Sequence, residues 1–191
     1  MMRSALVVTC TVVCACATPA PRGAVAVTSA AAGPKLASCA DASAPYLAEL
    51  CGMHEPSLSI AGPETYRFVW TSPPRNPVAV RLSRAGETAI AVVAIEGDER
   101  NPAAQRRHEF TVPNAVWIGL RKHLDAADFW NLAGDPADDE RGLDGADWAL
   151  EGRRGGVYHS VIRWEPRPGP FRTACEDLIK VSGISFPAEI R

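Results

Sequence analysis

Short segments in which residues alternate between two faces constrain the fold of this chain more than any other feature. Tyr66, Phe68 and Trp70 form one alternating set, and residues 78–83 repeat the period of two. That period is expected of a β-strand with a buried face. Residues 88–95 are apolar on both alternations, which is typical of a central strand, and residues 108–112 add a fourth strand. The sequence therefore predicts a four-strand meander.

Further along the chain the period changes to that of a helix. Val116, Leu120 and Leu124 recur at steps of three to four residues, and residues 171–182 follow Gly169-Pro170 and end at Gly183. A second pair of strands lies between these two amphipathic helices. For a chain of 191 residues we expect one α+β domain in two layers, an antiparallel sheet (four-strand meander plus hairpin) packed by two helices.

The register of the hairpin depends on its loop. A three-residue loop at 153–155, with Gly155 left-handed, sets Leu150 opposite Tyr158. This register places five large residues on one buried side, and we therefore prefer it to a two-residue turn, which would separate them. The five are Trp148, Leu150, Tyr158, Ile162 and Trp164.

The first residues have the layout of a signal peptide. A short positive start precedes a mostly apolar run at residues 4–15, which is too short to cross a bilayer unaided. The sequence Val13-Cys14-Ala15-Cys16 resembles the lipobox of bacterial lipoproteins, and this resemblance implies a lipidated amino-terminal Cys16. The alternative is ordinary secretory cleavage, which would release a soluble periplasmic protein. Ala17 follows Cys16, which by analogy favours the outer membrane, facing the periplasm.

The remaining chain divides into a tether and a domain. Residues 1–15 are the predicted signal peptide, 16–38 the lipidated cysteine with a flexible Pro- and Gly-containing tether, and 39–191 the domain. Cys39 and Cys51 flank a short helical pattern at residues 44–50, and a bridge between them would contribute about 3 kcal/mol. Cys175 falls on the apolar stripe of the last helix, so we expect a buried thiol there, although the pairing of the three cysteines stays open.

Several motifs resemble an uncharacterised family of exported proteobacterial proteins. They are residues 64–70, Phe129-Trp130, residues 144–152 and residues 158–166. The likeness extends over residues 64–183. It implies export and a shared domain, but no reaction, because no activity is known for that family. Glu165 stands where serine is commoner in the family.

One group of polar residues suggests proton chemistry. In the three-residue-loop register, His159 lies diagonally between Asp147 and Glu151, with Arg163 four residues further along the same strand. A carboxylate that orients an imidazole is typical of acid–base catalysis. The competing interpretation, to which we give more weight, is a solvated hairpin face with weak ion pairs. Arg153 and Arg154 at the tip are also candidates for anion binding, and Arg163 is a further binding candidate.

Other chemistries find little support in the sequence. The chain contains no nucleophile elbow, no phosphate-binding loop and no paired CxxC, and its four histidines have no metal-ligand spacing. We therefore expect neither a metal nor a cofactor. With a formal net charge of −2, nucleic acid is not an expected partner.

The sequence favours a membrane-tethered lipoprotein that serves the cell envelope as a non-catalytic binding or structural module. Its expected partners are the membrane, through the lipid anchor, and an unknown envelope protein or small ligand. The alternative is a small envelope hydrolase that uses His159 with Asp147 or Glu151.

Overall fold

The alternating and amphipathic segments form the elements that their periods predict. The computed structural model describes residues 45–97, 106–135, 141–142 and 144–184. In chain order its elements are α1 (Pro45–Gly52), β1 (Thr65–Thr71), β2 (Val78–Ala85), β3 (Thr88–Ile95), β4 (Arg106–Val112), α2 (Asn114–Ala126), a 3-10 turn (Phe129–Asn131), β5 (Asp147–Arg154), β6 (Val157–Trp164) and α3 (Pro170–Ser182). The predicted α+β class is confirmed.

All six strands belong to one antiparallel sheet, in the order β4-β3-β2-β1-β5-β6. The meander and the hairpin are joined because β5 pairs with β1, so that Phe68 faces Val80 on one side and Leu150 on the other. The sequence predicts a four-strand meander plus a hairpin, and the structure joins the two in one continuous six-strand sheet with β1 as one of its central strands.

Helices α2 and α3 cover one face of the sheet, which we call the α2/α3 face. Tyr66, Phe68 and Trp148 contribute from the strands, and the ring centroids of Phe68 and Trp148 lie 5.2 Å apart. The helices add their buried residues, Trp117, Leu120 and Leu124 from α2 and Ala174, Cys175, Leu178 and Ile179 from α3. Of the helices in the described part of the chain, none is both long enough and apolar enough to span a bilayer.

Helix α1 and the segment after it pack on the opposite face, which we call the α1 face. Tyr46, Leu50 and Met53 form an apolar cluster there with five residues of the strands, Val69, Ala79, Ala94, Ala149 and Ile162. Two helices packed on the sheet were expected, and α1 is a third, short helix on the second face. The consequence is that every residue of β1 is buried.

The predicted register of the hairpin is wrong. Arg154 pairs with Val157 across a two-residue turn, and Leu150 faces Val161 rather than Tyr158. Gly155 and Gly156 have φ angles of 58° and 82°, and the type I′ turn that closes tight hairpins requires positive φ at both positions. The five large residues therefore divide between the faces, with Trp148 and Leu150 on the α2/α3 face and the others on the α1 face. Because both faces are covered, burial does not require all five on one side.

Candidate functional site

The predicted grouping of His159 with Asp147 and Glu151 does not form. His159 pairs with Gly152 and lies on the α2/α3 face, whereas Asp147 and Glu151 alternate with Trp148 and lie on the α1 face. A register shift by an odd number of residues moves each side chain of a strand to the other face relative to its partner strand. The shift from the predicted pairing is three residues, so the sheet separates the imidazole from both carboxylates.

The His159 ring is held by contacts that fix its position. Its Nε2 lies 3.0 Å from the backbone oxygen of Leu132, and its centroid lies 5.2 Å from that of Phe129 and 6.3 Å from that of Trp130. A ring held between a backbone carbonyl and two aromatic side chains is suited to a packing role. Arg163, four residues along β6, donates to the backbone oxygens of Ala133 and Gly134, so both side chains hold the segment that follows the 3-10 turn.

Glu151 takes part in an ion pair buried under α1. Arg67 Nε donates to Glu151 Oε2 at 2.7 Å, and the Arg67 side chain is only 1 % exposed. Tyr158 donates its hydroxyl to the other oxygen, Glu151 Oε1, at 2.7 Å. Burial raises the pKa of Tyr158, and the Glu151 charge raises it further. The phenol therefore remains a donor, and the Glu151 carboxylate has strong partners on both oxygens.

Three arginines converge on Glu55, which follows α1 and is also buried. Arg81 Nε and Arg107 Nη1 lie 2.8 and 2.5 Å from its carboxylate, and Arg67 Nη1 lies 3.5 Å away. Burial raises the pKa of Glu55, but Arg81 and Arg67 lower it by more, so that it falls below its usual range. We call Glu55, Arg67, Arg81, Arg107 and Glu151 the buried ion-pair network, after its two buried carboxylates; the Arg107 side chain itself is 43 % exposed.

Arg153 holds the rest of the segment that crosses the α1 face. Its guanidinium donates to the backbone oxygens of Leu58, Ile60 and Pro63, and Arg67 donates to that of Pro56. An arginine with three carbonyl acceptors is not available to an anion, so Arg153 does not form an anion site with Arg154. The two residues are consecutive on β5 and their side chains lie on opposite faces.

The lowered pKa of Glu55 predicts a loss of stability in acid. A carboxylate whose folded pKa is depressed stabilises the fold above its unfolded pKa of about 4.3, and that contribution is lost as the pH falls through the folded pKa. Glu55→Gln should therefore unfold at lower urea concentration than the unaltered chain at pH 7, and the difference should shrink at pH 3. Glu109→Gln, at an exposed position on β4, is the control and should change neither value. A constant difference from pH 7 to pH 3 would contradict the prediction.

Glu49 of α1 predicts the opposite dependence on pH. Burial raises the pKa of the Glu49 carboxyl, and the charge of Asp147 raises it further. Burial also raises the pKa of Glu96, and the charge of Glu49 adds to that increase. A raised folded pKa gives stability below the unfolded pKa that is lost as the pH rises through the folded value. Glu49→Gln should therefore raise the urea midpoint at pH 7 and leave it unchanged at pH 3. A lower midpoint at pH 7 would show that the Glu49 charge stabilises α1.

Arg154 lies at the edge of a cleft on the α2/α3 face. The cleft has a volume of about 260 Å³ and is lined by residues from the end of α2, the 3-10 turn and the end of β5. The Arg154 guanidinium carbon lies 5.1 Å from the centre of the Trp130 ring, and its Nη1 lies 3.7 Å from Asp125. The sequence singles out Arg154 as a binding candidate, but not Trp130, Asp125 or the other lining residues. Those residues come together only where α2 packs on the sheet.

The remaining polar candidates are accounted for locally. His123 of α2 and Asp177 of α3 form a contact of 2.5 Å that links the two helices.

Cys175 is a buried free thiol, as predicted, and burial raises its pKa. Cys39 and Cys16 lie outside the described residues, so the Cys39–Cys51 bridge and the lipidation of Cys16 stay predictions. Within the ranges that the structure describes, no group of three His, Cys, Asp or Glu residues is placed to hold a metal ion.

Comparison with known proteins adds no relative to this description. A scan against protein-family models found no match to the chain, and a search of curated proteins found none either. The resemblance over residues 64–183 therefore stays a prediction.

Proposed function

We propose that this protein is an exported lipoprotein, tethered to the outer membrane through Cys16, whose domain serves the cell envelope by binding and not by catalysis. The proposed export and lipidation are supported by the apolar leader at residues 4–15 and by the sequence Val13-Cys14-Ala15-Cys16. The domain follows residues 16–38, which have the composition of a flexible linker.

The observation that carries the choice of binding over hydrolysis is the separation of His159 from Asp147 and Glu151. A general acid or base needs its partner within hydrogen-bond reach, about 2.6–3.2 Å. His159 lies on the opposite face of the sheet from the two carboxylates, and each residue has another partner. His159 contacts the Leu132 backbone oxygen, Glu151 accepts from Arg67 and Tyr158, and Asp147 accepts from Arg141 at 3.2 Å. These separate partners support a binding role over a hydrolase that pairs His159 with either carboxylate.

The position of α1 supports a tethered domain. The segment after α1 is fixed to the sheet by the buried ion-pair network and by the hydrogen bonds from Arg153 to three backbone oxygens. A tether that enters the domain at α1 would thus be attached next to a segment that both ion pairs and apolar contacts fix to the sheet. Such a joint suits a domain that must stay folded while attached to a surface.

The tether is tested by acyl labelling in cells. The unaltered chain should incorporate labelled palmitate and fractionate with the outer membrane, whereas Cys16→Ser should lose the label and, because the lipid is its anchor, appear in the soluble fraction. Cys14→Ser is the matched control and should keep the label. Equal labelling of the unaltered chain and Cys16→Ser would overturn the lipoprotein proposal, and so would release of both as soluble periplasmic protein.

The binding role is tested by His159→Gln. Glutamine keeps a donor for the Leu132 backbone oxygen but removes the imidazole that a hydrolase would use. Cells that carry this variant at normal abundance should match cells that carry the unaltered chain in every phenotype that deletion of the protein produces. Loss of function in a folded His159→Gln protein, equal to that of a deletion, would contradict the binding proposal and restore the hydrolase alternative.

A further inference from the structure

The cleft beside Trp130 joins an aromatic surface with polar groups of both signs. We call it the Trp130 cleft, and its lining consists of Leu124, Asp125, Asp128, Phe129, Trp130, Asn131 and Arg154. Its volume of about 260 Å³ corresponds to roughly nine water molecules at ~30 Å³ each, slightly below the usual range for small-molecule sites. A site of this size accepts one small ring and leaves the rest of a larger molecule in solvent.

The apolar side of the cleft is fixed by the core. Leu124 and Phe129 are buried, and Trp130 is half-buried with its ring centroid 5.1 Å from that of Phe129 at an interplanar angle of 73°. The rings of Tyr66 and His159 lie at 6.3 Å from the same indole. These three aromatic neighbours hold the indole in place, and the Arg154 guanidinium lies 5.1 Å from its centre. A ligand that shares the indole with this guanidinium would therefore meet a preformed surface and order little of the protein on binding.

The polar side of the cleft is held only by weak contacts. The Arg154–Asp125 ion pair spans 3.7 Å between groups that are 37 % and 60 % exposed, and such a pair contributes little to stability. Asn131 Nδ2 donates to Asp128 Oδ1 at 2.7 Å, and both residues are exposed. Hydroxyl groups of a ligand can therefore replace these contacts at small cost. A guanidinium offers paired donors and a carboxylate paired acceptors, and both match adjacent hydroxyls of a ring.

The composition of the lining selects the chemical class of the ligand. Two carboxylates against one guanidinium disfavour a simple anion, and the exposed charges disfavour a wholly apolar molecule. A neutral ring with hydroxyls that both donate and accept fits all the polar groups, and its apolar face fits the aromatic side. We propose that the Trp130 cleft binds a saccharide ring of the cell envelope. This proposal rests on the binding function proposed above and names its ligand class.

The test uses the purified full-length chain and two soluble probes that represent two envelope sources of sugar. One probe is a β-1,4-linked tetramer of N-acetylglucosamine, which represents the cell-wall glycan. The other is lipid-free core oligosaccharide released from lipopolysaccharide, which represents a lipid-linked sugar. Titration calorimetry should detect binding of at least one of them, and the probe that binds identifies the source. No heat of binding with either probe up to 10 mM sugar, a concentration chosen at about ten times a millimolar Kd, would overturn the proposal.

Two variants and two matched controls locate the binding. Arg154→Gln and Trp130→Phe should each weaken it about tenfold or more, because each removes a contact to the ring. Arg84→Gln is the control for the first, since Arg84 lies over the indole of Trp117 at 6.0 Å, outside the cleft. Trp164→Phe, on the α1 face, is the control for the second. Both controls should bind like the unaltered chain.

The failures of the two proposals are distinguishable. Saccharide binding that survives Arg154→Gln and Trp130→Phe would overturn the cleft as the site. An absence of saccharide binding alongside palmitate labelling at Cys16 would overturn the cleft proposal alone and leave the tethered module standing. Arg154→Gln changes a half-exposed side chain, so a loss of binding in that variant with an unchanged urea midpoint cannot be attributed to unfolding.

Discussion

Replacing Arg67 by methionine is expected to lower the free energy of unfolding by about 3–5 kcal/mol. Arg67 is 1 % exposed and donates to Glu151, to Glu55 and to the backbone oxygen of Pro56. Methionine fills much of the same space but supplies no charge. Within the part of the chain that the structure describes, Glu151 would then remain a buried carboxylate with Tyr158 as its one hydrogen-bond donor. The cost comes from this uncompensated charge and not from the value of the pair itself.

The double variant separates these two contributions. In Arg67→Met with Glu151→Gln the unpaired carboxylate at position 151 is removed as well. The urea midpoint should therefore recover by more than half of the loss caused by Arg67→Met alone. Arg84→Met is the matched control, because Arg84 is a half-buried arginine that donates to the backbone oxygen of Gly86, and it should shift the midpoint little. A double variant as unstable as the single one would show that Arg67 stabilises the sheet through packing or through Glu55.

Arg67 also shows where a sequence stops being informative about burial. The alternation of residues 65–71 predicts the strand correctly, and Tyr66, Phe68 and Trp70 do lie on one face. The same alternation places Arg67 on the other face, which a reader of the sequence assigns to solvent. Whether that face is covered depends on α1 and on Glu55, which lies 12 residues away in sequence, and no local pattern encodes that contact.

The candidate site shows the same limit in another form. Period two alone sends Arg153 and Arg154 to opposite faces of β5, so their separation follows from the strand assignment. The meeting of Arg154 with Asp125 and Trp130 does not, because it requires the end of α2 and the turn at Asp128, whose φ is 51°, to lie beside the end of β5. Local periods determine which residues share an element, while the packing of elements determines which residues share a cleft.

The hairpin register could have been read from its glycines. A three-residue loop needs one residue with positive φ, whereas the type I′ turn needs two, and the tip offers Gly155 and Gly156 in succession. Burial favours all five large residues on one side only in a sheet with one open face. With α1 on that face, Ala149 and Ile162 are buried as well as Leu150 and Val161.

Alanine substitution of the two hairpin tryptophans should give unequal losses of stability. Trp148 is fully buried on the α2/α3 face, against Phe68 and under the guanidinium of Arg172, so Trp148→Ala should cost about 3–5 kcal/mol in urea unfolding. Trp164, on the α1 face, is half-buried, so Trp164→Ala should cost clearly less.

Acrylamide quenching provides an independent measurement of the same difference between the two indoles. In variants where the other four tryptophans are phenylalanine, acrylamide should quench the Trp164 indole and leave the Trp148 indole protected, since only the former contacts solvent. Equal losses on alanine substitution together with equal protection from acrylamide would place both indoles in one core. The strands would then pair in the three-residue-loop register, and His159 would again lie beside Asp147 and Glu151.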